Sequence, residues 1–126
     1  MFCRQLYLDS HTSKDFDNLR RKFRNHIFPS GIYVIVLSKI SGRVEYFDCR
    51  TFKQKYYKET DNYPLIIGLA KGAENAQNIV IKIIEETYAA KQNADVKAYL
   101  KERSGDISND KNCKYDITVI VREGEK

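Results

Sequence analysis

The chain has 126 residues, of which 42% are hydrophobic, 31% charged and 12% aromatic. This length and composition are typical of one folded domain, and two prolines and six glycines exclude collagen-like and Pro/Gly-rich disordered proteins. No stretch reaches the roughly 18 apolar residues of a membrane-spanning helix, and the N-terminus lacks the apolar core of a signal peptide. We therefore expect a cytoplasmic protein with a single domain over residues 1–126, in which 1–10 and 122–126 are candidate flexible ends.

The positive charge of the chain is concentrated in its first half. Residues 1–63 carry 12 Lys and Arg against 7 Asp and Glu, whereas residues 64–126 carry 10 of each. The excess lies mainly in two segments, LRRKFRNH at 19–26 and RTFKQKYYK at 50–58. An uneven positive field of this kind attracts phosphates and other polyanions, although a pI near 9.1 also serves solubility alone.

The chain begins with a predicted strand or arm, followed by a helix. Residues 2–8 have the apolar alternation of a short strand but fit an ordered arm equally well. A helix is expected over residues 14–27, with Thr12 or Ser13 as its N-cap and basic residues on its polar side. The apolar side of this helix comprises Phe16, Leu19, Phe23 and Ile27.

Three strands are predicted in the middle of the chain. Residues 32–37 form an unbroken apolar run, which is typical of a strand buried on both faces. Residues 43–49 alternate in polarity and complete a β-hairpin with that strand. A short helical turn and a loop are expected over 51–63, before an apolar strand at 65–70.

A long amphipathic helix that begins near Ala73 gives the strongest periodic signal in the sequence. A shorter helix is predicted at 94–103 and a last strand at 115–121. The residues of the long helix expected to face the core are Ala76, Ile79, Val80, Ile83, Ile84, Thr87 and Tyr88.

This order of elements favours an α+β fold. The helices do not alternate one for one with the strands. We therefore expect a mainly antiparallel sheet of four to five strands, packed against two or three helices in a single compact domain. The connection from residue 70 to residue 115 is long enough to allow one parallel pair of strands.

The cysteines and histidines give no support for a metal or cofactor site. Cys3, Cys49 and Cys113 are far apart and form no CxxC pair, and Cys49 is expected to be a small core residue. His11 and His26 are fifteen residues apart, with no third nitrogen or sulfur ligand nearby. We therefore predict no cofactor, no bound metal and no catalytic residue.

Two further patterns, one rich in glycine and one containing an acid, are candidate sites. Lys71 and Gly72, between a predicted strand and helix, form a weak candidate anion site, but the Walker and dinucleotide glycine motifs are absent and a tight turn is favoured. The order of elements also resembles the core of the restriction-endonuclease-like fold, in which Asp48 and Lys71 would be site residues. Leu69 stands where the second metal-binding carboxylate belongs, so an active nuclease is not expected.

The most informative pattern is the mixture of aromatic and basic residues over 50–58. Aromatic rings that stack on bases, interleaved with lysines that contact phosphates, are typical of surfaces that bind single-stranded nucleic acid. Packing of the aromatics against the core is the favoured alternative, and a protein interface is a third. Together with the basic helix, the candidate nucleic-acid-binding residues are Arg20, Arg21, Arg24, Arg50, Lys53, Lys55, Tyr56, Tyr57 and Lys58.

Two stretches, FPSGIYVIVLSKISGRVEYFDC and YPLIIGLAKGAENA, resemble small uncharacterised proteins encoded on mobile elements of low-GC bacteria. They cover about a third of the chain. The resemblance implies an intracellular bacterial accessory role and assigns no functional residue.

We therefore expect a small, non-catalytic accessory protein. The leading hypothesis is weak nucleic-acid binding through the basic helix and the 50–58 segment. The alternative is a protein-interaction module or homodimer that uses an exposed edge strand such as 43–49 and has no nucleic-acid role. An enzyme of unknown chemistry ranks third.

Overall fold

The computed structural model describes residues 2–38, 42–54, 63–104 and 117–121. Within these ranges the elements, in chain order, are β1 (Phe2–Asp9), α1 (Ser10–Lys14), α2 (Phe16–Arg24), β2 (Ile32–Leu37), β3 (Val44–Asp48), a 3-10 helix (Cys49–Lys53), β4 (Leu65–Lys71), α3 (Ala73–Lys91), α4 (Val96–Ser104) and β5 (Ile117–Val121). The predicted strands and helices of the second half therefore form close to their expected positions.

The five strands form one mixed sheet in the order β3-β2-β4-β1-β5. Strand β2 is antiparallel to β3 and β4, whereas β1 is parallel to both β4 and β5. The α+β class is confirmed, and the sheet is mixed, with two antiparallel and two parallel pairs where a mainly antiparallel sheet that allowed one parallel pair was expected. The first residues form a strand and not an arm. This strand, β1, lies between β4 and β5 and is parallel to both of them.

One face of the sheet is covered by α3. Tyr7, Gly68, Ile35 and Tyr46 are cross-strand neighbours, so their side-chain positions share a face. On that face the Tyr7 hydroxyl donates to Glu86 Oε1 at 3.0 Å. At the opposite end of the row, Gln77 Nε2 of α3 donates to the Tyr46 hydroxyl at 2.9 Å. Helix α3 is therefore hydrogen-bonded both to β1 near the centre of the sheet and to the edge strand β3.

The other face of the sheet is covered by an aromatic cluster that involves β1, α2, β3 and the 3-10 helix. Leu8, Leu69, Val34 and Phe47 form the cross-strand row on this face. The rings of the aromatic cluster, with centroids 5.1 to 6.3 Å apart, are those of Phe2, Phe16, Phe23, Phe28, Phe47, Phe52 and Tyr63. Most of these contacts are edge-to-face, the arrangement that the ring quadrupoles favour.

The helix predicted over 14–27 differs from the two helices observed. Asp9 is the N-cap of α1, and its carboxylate and the Thr12 side chain form a reciprocal capping box with each other's backbone N–H groups. The helical backbone is interrupted at Asp15, which separates α1 from α2. Helix α2 ends at Arg24, so Ile27 lies beyond it, with 53% of its surface exposed. The predicted cap at Thr12 or Ser13 is wrong because Asp9, at the end of β1, caps a separate first turn.

Helix α3 buries only part of its predicted apolar stripe. Ala76, Ile79 and Ile83 are buried as expected, but Ile84 and Tyr88 are 37% and 54% exposed. A helix that lies on a sheet buries an arc of roughly 100°, and the wider stripe in the sequence exceeds that arc. The two outer residues therefore point away from the core.

Candidate nucleic-acid interface

The basic residues of α2 lie on the sides that its apolar residues leave exposed. Leu19 and Phe23 are buried against the core, while Arg21 and Arg24 are exposed. Arg20 is half-buried and lies 3.8 Å from Asp17, one turn earlier in the helix. Three basic residues occupy the last turn, where positive charge also offsets the negative end of the helix dipole.

Arg50 is held by a carboxylate of its own segment. Asp48 caps the 3-10 helix by accepting the Arg50 backbone N–H at 2.9 Å, and it also accepts from Arg50 Nε at 3.1 Å and Nη2 at 3.2 Å. Slight burial raises the pKa of Asp48, but the hydrogen bonds and the charge of Arg50 outweigh it, so this pKa lies below its usual value. Much of the positive charge of Arg50 is therefore neutralised locally.

The aromatic cluster brings α2 and the 3-10 helix, which carry the described parts of the two basic segments, onto one face of the sheet. Phe23 of α2 contacts Phe28 with ring centroids 5.2 Å apart, and Phe28 contacts Phe52 of the 3-10 helix at 5.5 Å. Arg21 and Lys53, which are 32 positions apart in the sequence, are both exposed on elements that pack on this cluster. We call the exposed side of these two elements the basic surface.

Phe52 is a packing residue rather than a base-stacking one. Its side chain is fully buried and contacts Phe28, Phe47 and Tyr63, so the packing alternative is confirmed at this position. Lys55, Tyr56, Tyr57 and Lys58 lie outside the described residues. Their part in nucleic-acid binding stays a prediction.

A contact that sequence reasoning missed holds the end of α2 in place. His26 has a positive φ of 59°, just after α2, and its Nδ1 lies 3.0 Å from the buried Tyr63 hydroxyl. No periodicity marks this pair, because both residues lie in irregular backbone. It fixes the end of α2 against the aromatic cluster.

Cys49 is a core residue, as predicted. Its side chain is fully buried and its thiol donates to the Pro29 carbonyl at 3.1 Å. Burial, together with the nearby charge of Asp48, raises the pKa of Cys49 to about 12. A thiol that stays protonated at neutral pH is a poor nucleophile, so Cys49 has the environment of a structural cysteine.

The residues of the predicted anion site form hydrogen bonds within the protein. The Lys71 backbone N–H donates to the buried Asp9 carboxylate at 2.8 Å, and Lys71 Nζ lies 3.1 Å from His11 Nε2. Gly72 has a φ of 86°, which favours glycine, and it is the N-cap of α3. The tight-turn interpretation accounts for Gly72, and anion binding here stays a prediction.

Two other kinds of site are absent from the described part of the chain. Among the described residues, no group of three or more His, Cys, Asp and Glu side chains is arranged to hold a metal ion. None of the helices in the described part of the chain combines the length and the hydropathy that crossing a membrane requires.

Comparisons with protein-family models, with curated proteins and with solved structures found no match for this chain. The resemblance to small proteins of mobile elements therefore stays a prediction.

Proposed function

We propose that this chain is a small, non-catalytic accessory protein that binds single-stranded nucleic acid weakly through the basic surface. The observation that supports the proposal is the meeting of two distant basic segments on one aromatic cluster, at one face of the sheet. A bacterial, intracellular role is part of the same proposal and rests on the resemblance of the two sequence stretches.

Arg21 and Lys53 are the strongest phosphate-binding candidates within the described residues. Both side chains are exposed, and neither forms an ion pair with another described residue. Arg20 and Arg50 each have an acidic neighbour, so a phosphate would have to compete with Asp17 or Asp48. We therefore expect Arg21 and Lys53 to contribute more to binding than Arg20 and Arg50.

The proposal is tested by titrating fluorescent single-stranded and duplex oligonucleotides at low and moderate salt. Each phosphate contact releases counterions, so the affinity for single strands should fall log-linearly with salt, by a slope of about −0.7 per contact. The double variant Arg21→Glu/Lys53→Glu should weaken binding by roughly tenfold or more. Lys53→Glu/Lys55→Glu/Lys58→Glu extends the test into the 50–58 segment and should abolish binding with little change in melting temperature.

A matched control separates the basic surface from net charge. Lys97 and Lys101 are exposed on α4, which packs beside α3 on the opposite face of the sheet. Lys97→Glu/Lys101→Glu changes the net charge by the same amount and should leave most of the affinity. Equal losses in the two double variants, or no binding by the wild type at low salt, would refute the proposal.

A further inference from the structure

Helix α3 carries a second apolar stripe, which faces away from the core. Ile81 and Tyr88 are both 54% exposed, and Ile84 lies between them at 37%. The spacing of three and four residues continues in both directions along the helix. The full set, which we call the outer seam, is Glu74, Gln77, Ile81, Ile84, Tyr88 and Lys91.

This 3-4-3-4-3 spacing is the pattern of helices that pack along one another in coiled coils. Every member of the outer seam falls within one side of α3, distinct from the buried side formed by Ala76, Ile79, Ile83 and Thr87. An isolated exposed isoleucine needs no explanation, but three large apolar residues in heptad register form a continuous surface. The outer seam is thus suited to packing against another helix.

The outer seam lies beside an open edge of the sheet. Gln77 of the seam donates to the hydroxyl of Tyr46, which belongs to β3 and is itself exposed. Strand β3 pairs with β2 on one side and with no described strand on the other. Protein association commonly covers an apolar helix surface next to a strand edge of this kind, which no described strand pairs with.

We propose that the occupant of this surface is a second copy of the chain, with the two α3 helices antiparallel along their outer seams. The argument is the self-complementarity of the seam. When Ile81 is placed opposite Ile84 of the second copy, Gln77 falls opposite Tyr88. The same register puts Glu74 opposite Lys91.

A parallel arrangement would instead place each residue opposite its own copy. It would therefore bring like charges together at both ends of the seam, which is unfavourable. A two-fold axis perpendicular to the helices generates the antiparallel register, and two-fold symmetry is the commonest symmetry of homodimers. An axis perpendicular to the sheet makes the two helices antiparallel and brings the two β3 edges to the same interface.

The closing experiment measures the mass of the full-length protein, freed of nucleic acid, by sedimentation equilibrium over a range of concentrations. We expect a mass near twice 14.7 kDa that persists at high salt, because the centre of the seam is apolar. Ile81→Glu alters two contacts by symmetry and should weaken dimerisation on the order of 100-fold. The matched control is Ile27→Glu, which alters an equally exposed isoleucine outside α3 and should leave the dimer intact.

A charge exchange tests the antiparallel register. Glu74→Lys should weaken the dimer, and adding Lys91→Glu should restore it, because the exchanged pair again has opposite charges. Lys91 also binds Glu102 of its own chain, so the restoring variant includes Glu102→Lys to keep that intrachain pair. Restoration supports the antiparallel dimer, and its absence overturns the register.

The inference fails outright if the wild type is a monomer at all concentrations, or if Ile81→Glu and Ile27→Glu have the same effect. Nucleic-acid binding is not involved in these measurements. The dimer and the proposed function can therefore be refuted separately.

Discussion

The two faces of the sheet are covered in different ways. On one face, short elements bring together aromatic rings from distant parts of the chain, and Phe52 is buried among them. On the other face, the long helix α3 contributes aliphatic residues from one side and keeps the outer seam on another. The first face buries its aromatic rings within the chain and leaves only a single large apolar residue, Ile27, exposed among its described residues, whereas α3 leaves three exposed along one side.

This difference shows that burial depends on how many elements cover a surface, and not only on how apolar the sequence is. Several short segments can turn their apolar side chains inward separately, and their charged residues then face outward as the basic surface. A single straight helix cannot bury two separate sides against one sheet. In this chain the aromatic face is therefore linked to the proposed nucleic-acid binding, and the α3 face to the proposed dimer.

The largest expected effect comes from removing a ring from the aromatic face. Phe52→Ala should lower the free energy of unfolding by about 3–5 kcal/mol, since it leaves a cavity beside Phe28, Phe47 and Tyr63. Urea unfolding measures the loss. Ile27→Ala, at an exposed position just after α2, should change the free energy of unfolding by no more than about 0.5 kcal/mol. Similar losses in both variants would contradict the account of the aromatic cluster.

On the face of the sheet that α3 covers, the substitution expected to destabilise the protein most clearly is at Gly68. A Cβ atom there would lie 2.8 Å from the Tyr7 carbonyl oxygen and 3.4 Å from the Ile35 side chain. Because the nearest atom belongs to the backbone, Gly68→Ala must displace β1 from β4 and should cost about 1–3 kcal/mol. Thermal unfolding would show this as a lower melting temperature. An unchanged melting temperature would contradict the predicted clash between the added Cβ atom and the backbone of β1.

A smaller effect is expected from the ion pair that orders the 3-10 helix. Asp48→Asn keeps a side chain that can cap the helix but removes the charge that binds Arg50, so about 0.5–1 kcal/mol should be lost at neutral pH. The folded pKa of Asp48 is lowered, so its stabilisation is present above the unfolded pKa and is lost as pH falls through the folded pKa. Wild type and variant should therefore become equally stable in acid. A difference that grows as the pH falls would contradict this assignment.

The smallest effect on the folded monomer is expected at the outer seam. In dilute protein, Ile81→Glu should change the free energy of unfolding by no more than about 0.5 kcal/mol, because Ile81 is exposed. At high concentration the wild type should gain stability from dimerisation, and the variant should not. Unfolding curves at two protein concentrations make the comparison. A large loss in dilute solution would show that the seam stabilises the monomer itself.

Part of the candidate site could be predicted from the sequence and part could not. Charge clustering identified Arg21 and Lys53. The alternating strand pattern that ends at Cys49, together with the usual burial of free cysteines, indicated its place in the core, because both signals are local properties of the chain. The contact between His26 and Tyr63 has no local signal. The excess apolar residues of α3 were visible as a wide stripe, but periodicity alone does not say which arc of the stripe faces the sheet.

The sequence by itself determined the kinds of element and their approximate bounds, since hydrophobic periodicity and turn residues act over a few positions. Only the tertiary structure decided that β1 lies between β4 and β5, that α2 and the 3-10 helix share one face, and that Ile84 and Tyr88 stay exposed. These outcomes depend on pairings between residues far apart in the chain. Such pairings are selected by the packing of the whole sheet, which no local pattern specifies.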